Sequence, residues 1–331
     1  MKHTMWLFAI LAAISLSAAA STSQQSPDPS SEAWIHSVVE SISLPTQISE
    51  RWDYVMNVKV RLLLFWVGAD DVGGGYIAKG SLQSDRSSTV TELVIGSDPA
   101  KAPRKINHWG AAVEMRRAAE SSFLGFMKSS KASSAKEAEV ETSTQKTYPF
   151  EAAISYGNHS EAVSRLVPMN SPRDFTFRDF HTAQAEIIKA LTQSRTTVRR
   201  LAAERKGCSK AEGFLSVVDR LSRDVVEGKS VPLTGCYVHN ARFYTISLKK
   251  QTPTASKKVK FKLRNGTMFE RVFKDLTLAE FEILNTESEE RTNFDLLLGT
   301  SGSLRGVPIQ IRYQPNWWFQ VVLTVNADQE S

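Results

Sequence analysis

The sequence predicts an α+β protein, with mainly antiparallel, curved β-sheets that are barrel-like or half-barrel-like and a helical insertion near residues 172–228. Three observations predict this class. Apolar and polar residues alternate with a period of two from Tyr237 onward, which is typical of half-buried antiparallel strands. Within the insertion, apolar residues recur at helical spacing instead. The composition, 41% hydrophobic and 23% charged over 331 residues, is that of a globular chain with one large domain or two ordinary ones.

The charge and the cysteine content exclude several classes of protein. Lysine and arginine number 41 against 35 acidic residues, and the net charge of +6 is small for a dedicated nucleic-acid-binding protein. The two cysteines, Cys208 and Cys236, are too few for a disulfide-rich scaffold. The composition also excludes a collagen-like chain, a fully disordered chain and a membrane protein with several spans.

Residues 1–20 have the parts of a secretory signal peptide. The basic residue Lys2 precedes an apolar run over 5–16 and three small residues, 18–20. The run of about twelve residues is shorter than the ~20 that cross a bilayer as a helix, and no later run reaches that length. We therefore expect cleavage after Ala20, no transmembrane segment in the mature chain, and a location in the periplasm or outside the cell. A buried N-terminal helix is the alternative.

Composition divides the rest of the chain into two halves. Residues 128–147 contain only Lys, Ser, Ala, Glu, Thr, Gln and Val, which is typical of a surface loop without a core. The predicted organisation is a signal peptide (1–20), a disordered leader (21–33), an N-terminal β-rich half (34–127), this low-complexity loop (128–147) and a C-terminal α+β half (148–331).

Strands account for most of the N-terminal half. Residues 55–67 begin with alternation and continue as an unbroken apolar run, which predicts one continuous strand covered on both faces. Residues 76–83 and 89–95 predict the next strands, separated by polar turns. Residues 112–127 fit either a strand or a helix, because their periodicity does not decide between the two.

The insertion is predicted to contain three helices. One begins near residue 171, and a short one follows over 196–205. The third begins with the capping box of Ser209 and Glu212, in which each side chain satisfies an amide at the helix N-terminus. It is expected to end at Gly228, since glycine is the common residue after a helix C-cap.

Export favours a disulfide between Cys208 and Cys236, because an oxidising compartment allows thiols to pair. The distances permit it. A helix of about 18 residues spans ~27 Å, and roughly nine extended residues can return that distance. Two buried free cysteines are the alternative.

The strands of the C-terminal half include a hairpin and a basic run. Asn265-Gly266 is the strongest hairpin signal in the chain. Before it, residues 249–264 contain seven basic residues and no acidic one. Because the lysines alternate with Val259 and Phe261, we expect them to form the solvated outer face of a half-buried strand. A site for an anionic partner, such as lipopolysaccharide or nucleic acid, is the alternative.

The last two strands are predicted to form a hairpin with the three-residue loop 314–316. This register pairs Tyr313 with Trp317, so that every inward pair along the ladder is apolar and Trp317 belongs to the core. It also places Arg312 opposite Trp318 on the other face, within range of a cation–π contact.

Motifs for phosphate, metal or nucleophilic chemistry are weak. The glycines at 73–75 lack the Lys-Ser/Thr that follows in a phosphate loop. The adjacent acids Asp70 and Asp71 supply too few oxygen ligands for calcium. The histidines have no metal-ligand spacing, and no Gly-x-Ser-x-Gly motif occurs. The sequence therefore predicts no cofactor and no metal site, and it favours a protein that is not an enzyme.

Three segments carry a resemblance to known proteins. They are FWVGADDVGGG at 65–75, GSDP followed by APRKINHW within 96–109, and YQPNWW at 313–318. In these segments the chain is similar to secreted bacterial β-rich proteins of no known function. The resemblance implies an exported β-sheet fold and supplies no catalytic residue.

The leading functional hypothesis is an exported, non-enzymatic protein that binds an apolar or amphiphilic envelope ligand, a lipid or a glycan, between sheet and helices. Such a cleft needs apolar walls and a few polar anchors. The candidate contacts are Arg312, Tyr313 and Trp318.

Two alternatives belong to other classes. A secreted hydrolase would use Asp70, Asp71 or His108, and a pocket that gathers an acid, a base and a nucleophile would favour it. A structural cell-envelope protein would instead show a large exposed apolar patch.

Overall fold

The computed structural model describes ten segments of the chain. They are residues 46–62, 65–117, 120–128, 147–156, 161–170, 176–182, 199–202, 212–229, 232–239 and 242–326. The predicted signal peptide, the leader, residues 129–146 of the predicted loop and Cys208 lie outside these segments. The division into two halves at that loop therefore stays a prediction.

The strands of the described segments form one antiparallel sheet of fourteen members. They are β1 (Thr46–Leu62), β2 (Phe65–Leu82), β3 (Asp85–Ser97), β4 (Trp109–Arg117), β5 (Glu120–Lys128), β6 (Thr147–Tyr156), β7 (Glu161–Asn170), β8 (Arg199–Ala202), β9 (Thr234–His239), β10 (Arg242–Lys262), β11 (Met268–Asn285), β12 (Arg291–Gly299), β13 (Pro308–Asn316) and β14 (Phe319–Val325). Their order is β8-β7-β6-β5-β4-β3-β2-β1-β14-β13-β12-β11-β10-β9. The sheet is thus two meanders joined where β1 pairs with β14.

A helix, α1 (Phe214–Val226), lies across one face of this sheet. Its N-terminal amides contact Glu114 of β4, and it packs on β9, β10, β11 and β12. In a flat sheet β4 and β9 would lie about 43 Å apart at ~4.8 Å per strand, whereas the 13 residues of α1 span about 20 Å. The sheet must therefore curl around α1, and β9 indeed approaches β6. The predicted class of curved, mainly antiparallel sheet is confirmed.

Much of the core lies on the concave face, where side chains of the strands meet those of α1, whereas Val94, Trp109 and Ala111 are buried on the opposite face of β3 and β4. Each strand contributes every second residue to this face, because successive side chains point to opposite sides. On α1, the residues that face the sheet are four or fewer positions apart, which is the spacing of one helix face. The buried residues concerned include Met56, Tyr244, Ile246, Phe281, Ile311 and Leu323 on the strands and Val217, Leu221 and Val225 on α1.

The continuous strand predicted over 55–67 is wrong. β1 ends at Leu62 and β2 begins at Phe65, and these two residues pair with each other across a hairpin. Phe65, Trp66 and Val67 are exposed rather than covered. The unbroken apolar run thus includes a hairpin tip, and periodicity cannot distinguish such a tip from a buried strand.

Two further segments prove to be strands. The ambiguous segment 112–127 belongs to β4 and β5. The short helix predicted over 196–205 is wrong where the chain is described, since residues 199–202 form β8 and pair with β7. Backbone hydrogen bonds to a neighbouring strand override the local helix preference of this segment, which is rich in Arg and Ala.

The first predicted helix is described over residues 176–182. Thr176 and Asp179 form a capping box at its start, with the Asp179 carboxylate accepting the Thr176 amide at 2.8 Å. Phe180 is buried and meets the Trp109 ring edge-on at a centroid distance of 6.4 Å.

The start of α1 differs from the prediction, whereas its end agrees. The helix begins at Phe214 after the N-cap Gly213, not at the capping box of Ser209 and Glu212. The Glu212 carboxylate instead accepts a hydrogen bond from a guanidinium further along the helix. Gly228 follows the C-cap with φ of +73°, a conformation that costs glycine little because it has no Cβ.

The predicted loop 314–316 of the terminal hairpin is wrong. Asn316 pairs with Phe319, which leaves Trp317 and Trp318 as a two-residue turn. Trp317 is 66% exposed, so its predicted place in the core is wrong as well. The hairpin is closed by an aromatic pair that the sequence pattern assigns to a strand.

The register of this hairpin is shifted by four positions along β14 from the predicted one. Tyr313 pairs with Val321, and both are buried. Because side chains alternate with a period of two, an even shift of four keeps the same residues facing inward. The predicted contact of Arg312 with Trp318 is wrong, since Arg312 lies opposite a valine of β14 and pairs with Asp295.

The hairpin predicted at Asn265-Gly266 is confirmed. β10 and β11 pair up to Lys262 and Met268, and Gly266 takes φ of +90° in the turn between them. β12 pairs with β11 only from Leu276 onward, so the part of this hairpin nearer the turn extends beyond β12. We call residues 256–274 the hairpin arm.

Candidate functional site

Two hairpin tips lie side by side at one end of the sheet. β1 pairs with β14 up to Val60 and Phe319, next to the tips of the β1–β2 and β13–β14 hairpins. The Arg61 amide donates to the Trp318 carbonyl at 2.7 Å, which extends this ladder to the turn itself. The residues of the two turns are therefore neighbours in space, although more than 250 positions separate them in the sequence.

Large apolar side chains project from these tips. Phe65 is 74% exposed, Trp317 66%, Val67 54% and Trp66 41%. We call these four residues the aromatic rim. Single exposed apolar residues are ordinary, but several large ones gathered at adjoining hairpin tips indicate a surface that meets a partner or a lipid phase. The rim is thus the main candidate site in the described residues.

Positive charge accompanies the aromatic rim. The Arg61 guanidinium lies 6.0 Å from the centroid of the Trp317 ring, and Lys59 is exposed two residues earlier on β1. The Arg61 Nε atom is buried and has no hydrogen-bond partner within the described segments. A surface that combines aromatic rings with a guanidinium and an ammonium group is suited to an amphiphile with an anionic head.

The three candidate ligand contacts lie in different places. Tyr313 faces the core, and burial raises its pKa above the usual range. Arg312 points to the opposite face of β13 and pairs with Asp295. Trp318 is partly buried at the turn, with its ring 5.8 Å from that of Phe319. The structure does not bring Arg312 and Tyr313 together, and only Trp318 adjoins the aromatic rim.

The acids of the hydrolase hypothesis hold the chain together. The Asp71 carboxylate accepts from the Lys101 ammonium group at 2.8 Å and from the Arg264 amide at 2.9 Å. The Asp70 carboxylate accepts from the Lys262 amide at 3.4 Å. These bonds fasten the turn of the hairpin arm to β2. Both oxygens of the buried Asp71 are occupied in this way, which is a structural use of the carboxylate.

His108 lies in the connection that leads into β4. Its backbone amide donates to the Ser97 Oγ at 2.8 Å, and its carbonyl accepts from the Ser97 amide, also at 2.8 Å. The residue is buried at 9% exposure. Its position is thus set by a backbone connection between β3 and β4.

Part of the basic run of β10 is paired with acids of β11. Lys258 and Lys260 contact Glu270 at 2.6 and 3.1 Å, and Lys249 contacts Glu282 at 2.9 Å. The intervening Val259 and Phe261 are buried, as the alternation predicts. The lysines that alternate with these two residues therefore lie on the outer face of the strand, as predicted.

A buried carboxylate lies at the start of α1. It belongs to none of the motifs in the sequence. Glu114 of β4 is 2% exposed, and its carboxylate accepts the Leu215 amide at 2.8 Å and the Ser216 amide at 3.1 Å. Burial raises the pKa of Glu114 to about 7, although the amides favour the charged form. The signal available in the sequence is a glutamate on the same strand face as Ala112.

A second polar cluster lies on the outer face of β2 and β3. The Tyr76 hydroxyl donates to Glu92, and His181 Nε2 lies 3.3 Å from the Tyr76 hydroxyl and 3.5 Å from Glu92 Oε1. The Arg51 guanidinium lies 3.9 Å from the centroid of the Tyr76 ring. This cluster attaches the capped turn at 176–182 to the sheet.

The described segments lack two further kinds of functional feature. These segments contain no group of three or more His, Cys, Asp or Glu arranged to hold a metal ion. They also contain no helix that is both long and apolar enough to span a membrane.

No protein-family model matches this chain, and no curated protein sequence matches it. Among solved structures, the chain is similar to a β-barrel-like protein of domain of unknown function DUF1849 from Brucella abortus. The TM-score is 0.40 at 9% sequence identity, and the alignment covers 83% of this chain and 94% of that one.

Proposed function

We propose that this protein is an exported, non-enzymatic protein that binds an amphiphilic envelope lipid through its aromatic rim. The observation that carries the proposal is the exposure of Phe65, Trp66, Val67 and Trp317 at adjoining hairpin tips. Removing one such side chain from water is worth roughly 1.5–3 kcal/mol when burial is complete. In the folded protein these side chains remain in water, so this free energy is gained only when a partner covers them.

The concave face is a poorer place for the ligand. α1 lies there, and Val217, Leu221 and Val225 are almost completely buried under the sheet. A Cβ on Gly235 of β9 would lie 2.7 Å from Arg220 Nη2, so strand and helix are in close contact. Along α1, the space between sheet and helix that an apolar ligand would need is filled by the protein's own side chains.

A lipid suits the rim better than a glycan or a protein does. Tryptophan and other aromatic residues favour the interface between hydrocarbon and water, where the ring is buried and the polar edge stays solvated. The Arg61 guanidinium beside Trp317 adds a cation at the level of the lipid headgroups. A structural envelope protein would need a protein partner over the same rim, and the test below separates the two.

The export part of the proposal depends on residues 1–20. A basic start, an apolar run of signal-peptide length and small residues before position 21 support it. We expect the mature chain to begin at Ser21, which N-terminal sequencing of protein from its native host would show. Retention of Met1 in a cytosolic fraction would overturn this part.

The disulfide between Cys208 and Cys236 belongs to the same proposal. Cys236 lies in β9, which packs against α1 as the predicted return of the chain requires. Mass analysis without reductant should show both thiols blocked in exported protein. Alkylation of both cysteines without reduction would contradict the pairing.

The rim is tested with lipid vesicles and a matched pair of variants. We expect the wild-type protein to sediment with vesicles of phosphatidylcholine and phosphatidylglycerol. The variant Phe65→Ser/Trp317→Ser should bind at least tenfold more weakly, a roughly 1.4 kcal/mol loss, because two inserted rings are removed. The control Ile48→Ser removes another exposed apolar side chain (43%) near the opposite end of β1, and it should bind as the wild type does.

Three results would overturn the proposal. They are a wild-type protein that sediments with no vesicle, a double variant that binds undiminished, and an Ile48→Ser variant that loses as much binding as the double variant. Self-association that disappears in Phe65→Ser/Trp317→Ser, without vesicle binding by the wild type, would assign the rim to a structural envelope protein instead.

A further inference from the structure

We propose that one face of the hairpin arm is a cationic docking strip that selects anionic lipid headgroups for the aromatic rim. This inference rests on the proposed function, because it names the headgroup of the lipid that the rim contacts. The face is formed by residues that point to the same side of β10 and β11, and we call it the basic strip. Its members are Lys258, Lys260, Lys262, Met268, Glu270, Val272 and Lys274.

The basic strip has an excess of positive charge that the arm does not neutralise. Its single carboxylate, Glu270, is shared by Lys258 and Lys260, and these two ammonium groups lower the pKa of Glu270. Lys262 and Lys274 form no ion pair with any residue in the described segments. Both are exposed, so they are free to meet an external anion.

The strip also exposes apolar surface among its lysines. Met268 is 47% exposed and Val272 45%, although both lie in a regular ladder. A purely solvated face has no need for two such side chains. Lysine side chains can lay their aliphatic stems on apolar surface while the ammonium group stays in water. Alternating aliphatic and ammonium groups are therefore suited to a lipid headgroup layer.

The opposite face of the arm makes the strip rigid. Val259, Phe261, Phe269 and Phe273 are buried there, and the rings of Phe261 and Phe269 stack at a centroid distance of 4.5 Å. Because these aromatic rings face inward, they cannot stack on the bases of a single-stranded nucleic acid. This arrangement favours an anionic lipid over nucleic acid.

The turn of the arm lies close to the aromatic rim. The Lys262 amide donates to Asp70, and the Arg264 amide donates to Asp71. Asp70 follows Val67 of the rim by three residues on β2, a distance of about 10 Å in an extended strand. Rim and strip thus adjoin on the surface, and a single lipid layer can contact both.

The test uses variants that separate the strip from the rim. Wild type, Lys262→Gln/Lys274→Gln and Phe65→Ser/Trp317→Ser are titrated with vesicles of phosphatidylcholine alone and of phosphatidylcholine mixed with phosphatidylglycerol. The wild type should prefer the anionic vesicles, and added salt should weaken that preference. The lysine variant should lose roughly tenfold or more on anionic vesicles and keep the wild-type affinity for phosphatidylcholine.

A charge-matched control removes two lysines from the same strand outside the strip. Lys249→Gln/Lys250→Gln changes the net charge by the same amount, but both residues already pair with acids of β11. It should retain the anionic preference. Circular dichroism and thermal unfolding of each variant check that the fold is kept.

The outcomes distinguish the two proposals. If Lys262→Gln/Lys274→Gln keeps the full preference for anionic vesicles while the rim variant loses binding, the role proposed for the basic strip is wrong and the proposed function stands. If the lysine variant loses anionic binding while the rim variant loses none, the strip stands and the proposed function is wrong. If the wild-type protein shows no headgroup preference, the role proposed for the basic strip is wrong. That role is also wrong if the protein binds a single-stranded oligonucleotide more tightly than vesicles and this binding depends on Lys262 and Lys274.

Discussion

Charged side chains are usually exposed and large apolar ones buried, and the N-terminus of α1 and the aromatic rim are opposite exceptions to this rule. Inside, Glu114 is a carboxylate with 2% exposure, and outside, Trp317 is a tryptophan with 66% exposure. The inner exception is compensated within the chain, since two backbone amides of α1 donate to Glu114. At the rim, the contact that the structure shows for Trp317 is the Arg61 guanidinium at 6.0 Å.

This difference indicates which of the two regions contacts a partner. A buried charge that is matched by hydrogen bonds is explained by folding, because it satisfies amides that would otherwise be unpaired. An exposed group of aromatic side chains lowers no folding free energy, so its explanation lies in a partner. The comparison therefore predicts large stability effects at the first region and small ones at the second.

The largest effect is expected for Glu114→Ala. The change leaves the Leu215 and Ser216 amides without an acceptor in the interior and creates a cavity, which together cost roughly 3–4 kcal/mol. The free energy of unfolding should be measured by urea titration near pH 5.5, where the carboxyl is mostly protonated. Glu114→Gln keeps an acceptor oxygen and should lose much less. Equal losses in the two variants would show that the amides do not need this acceptor.

The sequence predicts more of the fold than of the candidate site. Period-two alternation places the inward residues of the C-terminal strands correctly even though the terminal hairpin has another register. Tyr313 is buried in the predicted pairing and in the observed one, because the two registers differ by four residues, an even number. The strands of this half follow from the same local pattern, whereas the curvature of the sheet depends on contacts between distant elements such as α1 and β4.

The candidate site cannot be predicted from local sequence patterns, because residues that meet there are far apart in the sequence. Glu114 and Leu215 are 101 positions apart, so no short motif connects them. The run that includes Phe65 has the composition of a buried strand, and Trp317 continues the alternation of β14. Only the adjoining positions of two hairpin tips show that these side chains are exposed together. The sequence pattern therefore indicates Trp318 as a contact but does not indicate the rim beside it.

The second effect is a dependence of stability on pH that belongs to Glu114. Because its folded-state pKa is raised from 4.5 to about 7, the folded protein holds a proton that the unfolded chain has released. This contribution to stability is fully present below pH 4.5 and is lost as the pH rises to about 7. The free energy of unfolding should fall by roughly 2–3 kcal/mol between about pH 5 and about pH 8.

The control for this pH dependence is Glu114→Gln, which cannot titrate at this position. Its curve should lack the fall, so that the difference between variant and wild type changes with pH in favour of the variant. Parallel curves for the two proteins would show that another group causes the pH dependence.

The third effect concerns the packing of α1 on β9. A Cβ on Gly235 would lie well inside van der Waals distance of Val217 and 2.7 Å from Arg220 Nη2. We expect Gly235→Ala to lower the free energy of unfolding by roughly 2 kcal/mol, since the helix must move away from the strand. In Gly235→Ala/Val217→Ala the smaller side chain makes room, so the two losses should not add. Additive losses would mean that strand and helix are not in close contact here.

The smallest effect is expected at the rim, for Trp317→Ser. The side chain is mostly exposed, and its contact with Arg61 is worth about 0.5 kcal/mol at such a site, so the free energy of unfolding should change by no more than this. The matched control is Phe319→Ser, two residues later in the same hairpin, where the ring is 7% exposed and truncation should cost roughly 3 kcal/mol. Both are measured by urea unfolding at one pH. A loss for Trp317→Ser as large as that for Phe319→Ser would place Trp317 in the folding core and remove the rim from the surface. A negligible loss, together with weaker vesicle binding, would show that this tryptophan acts on a partner.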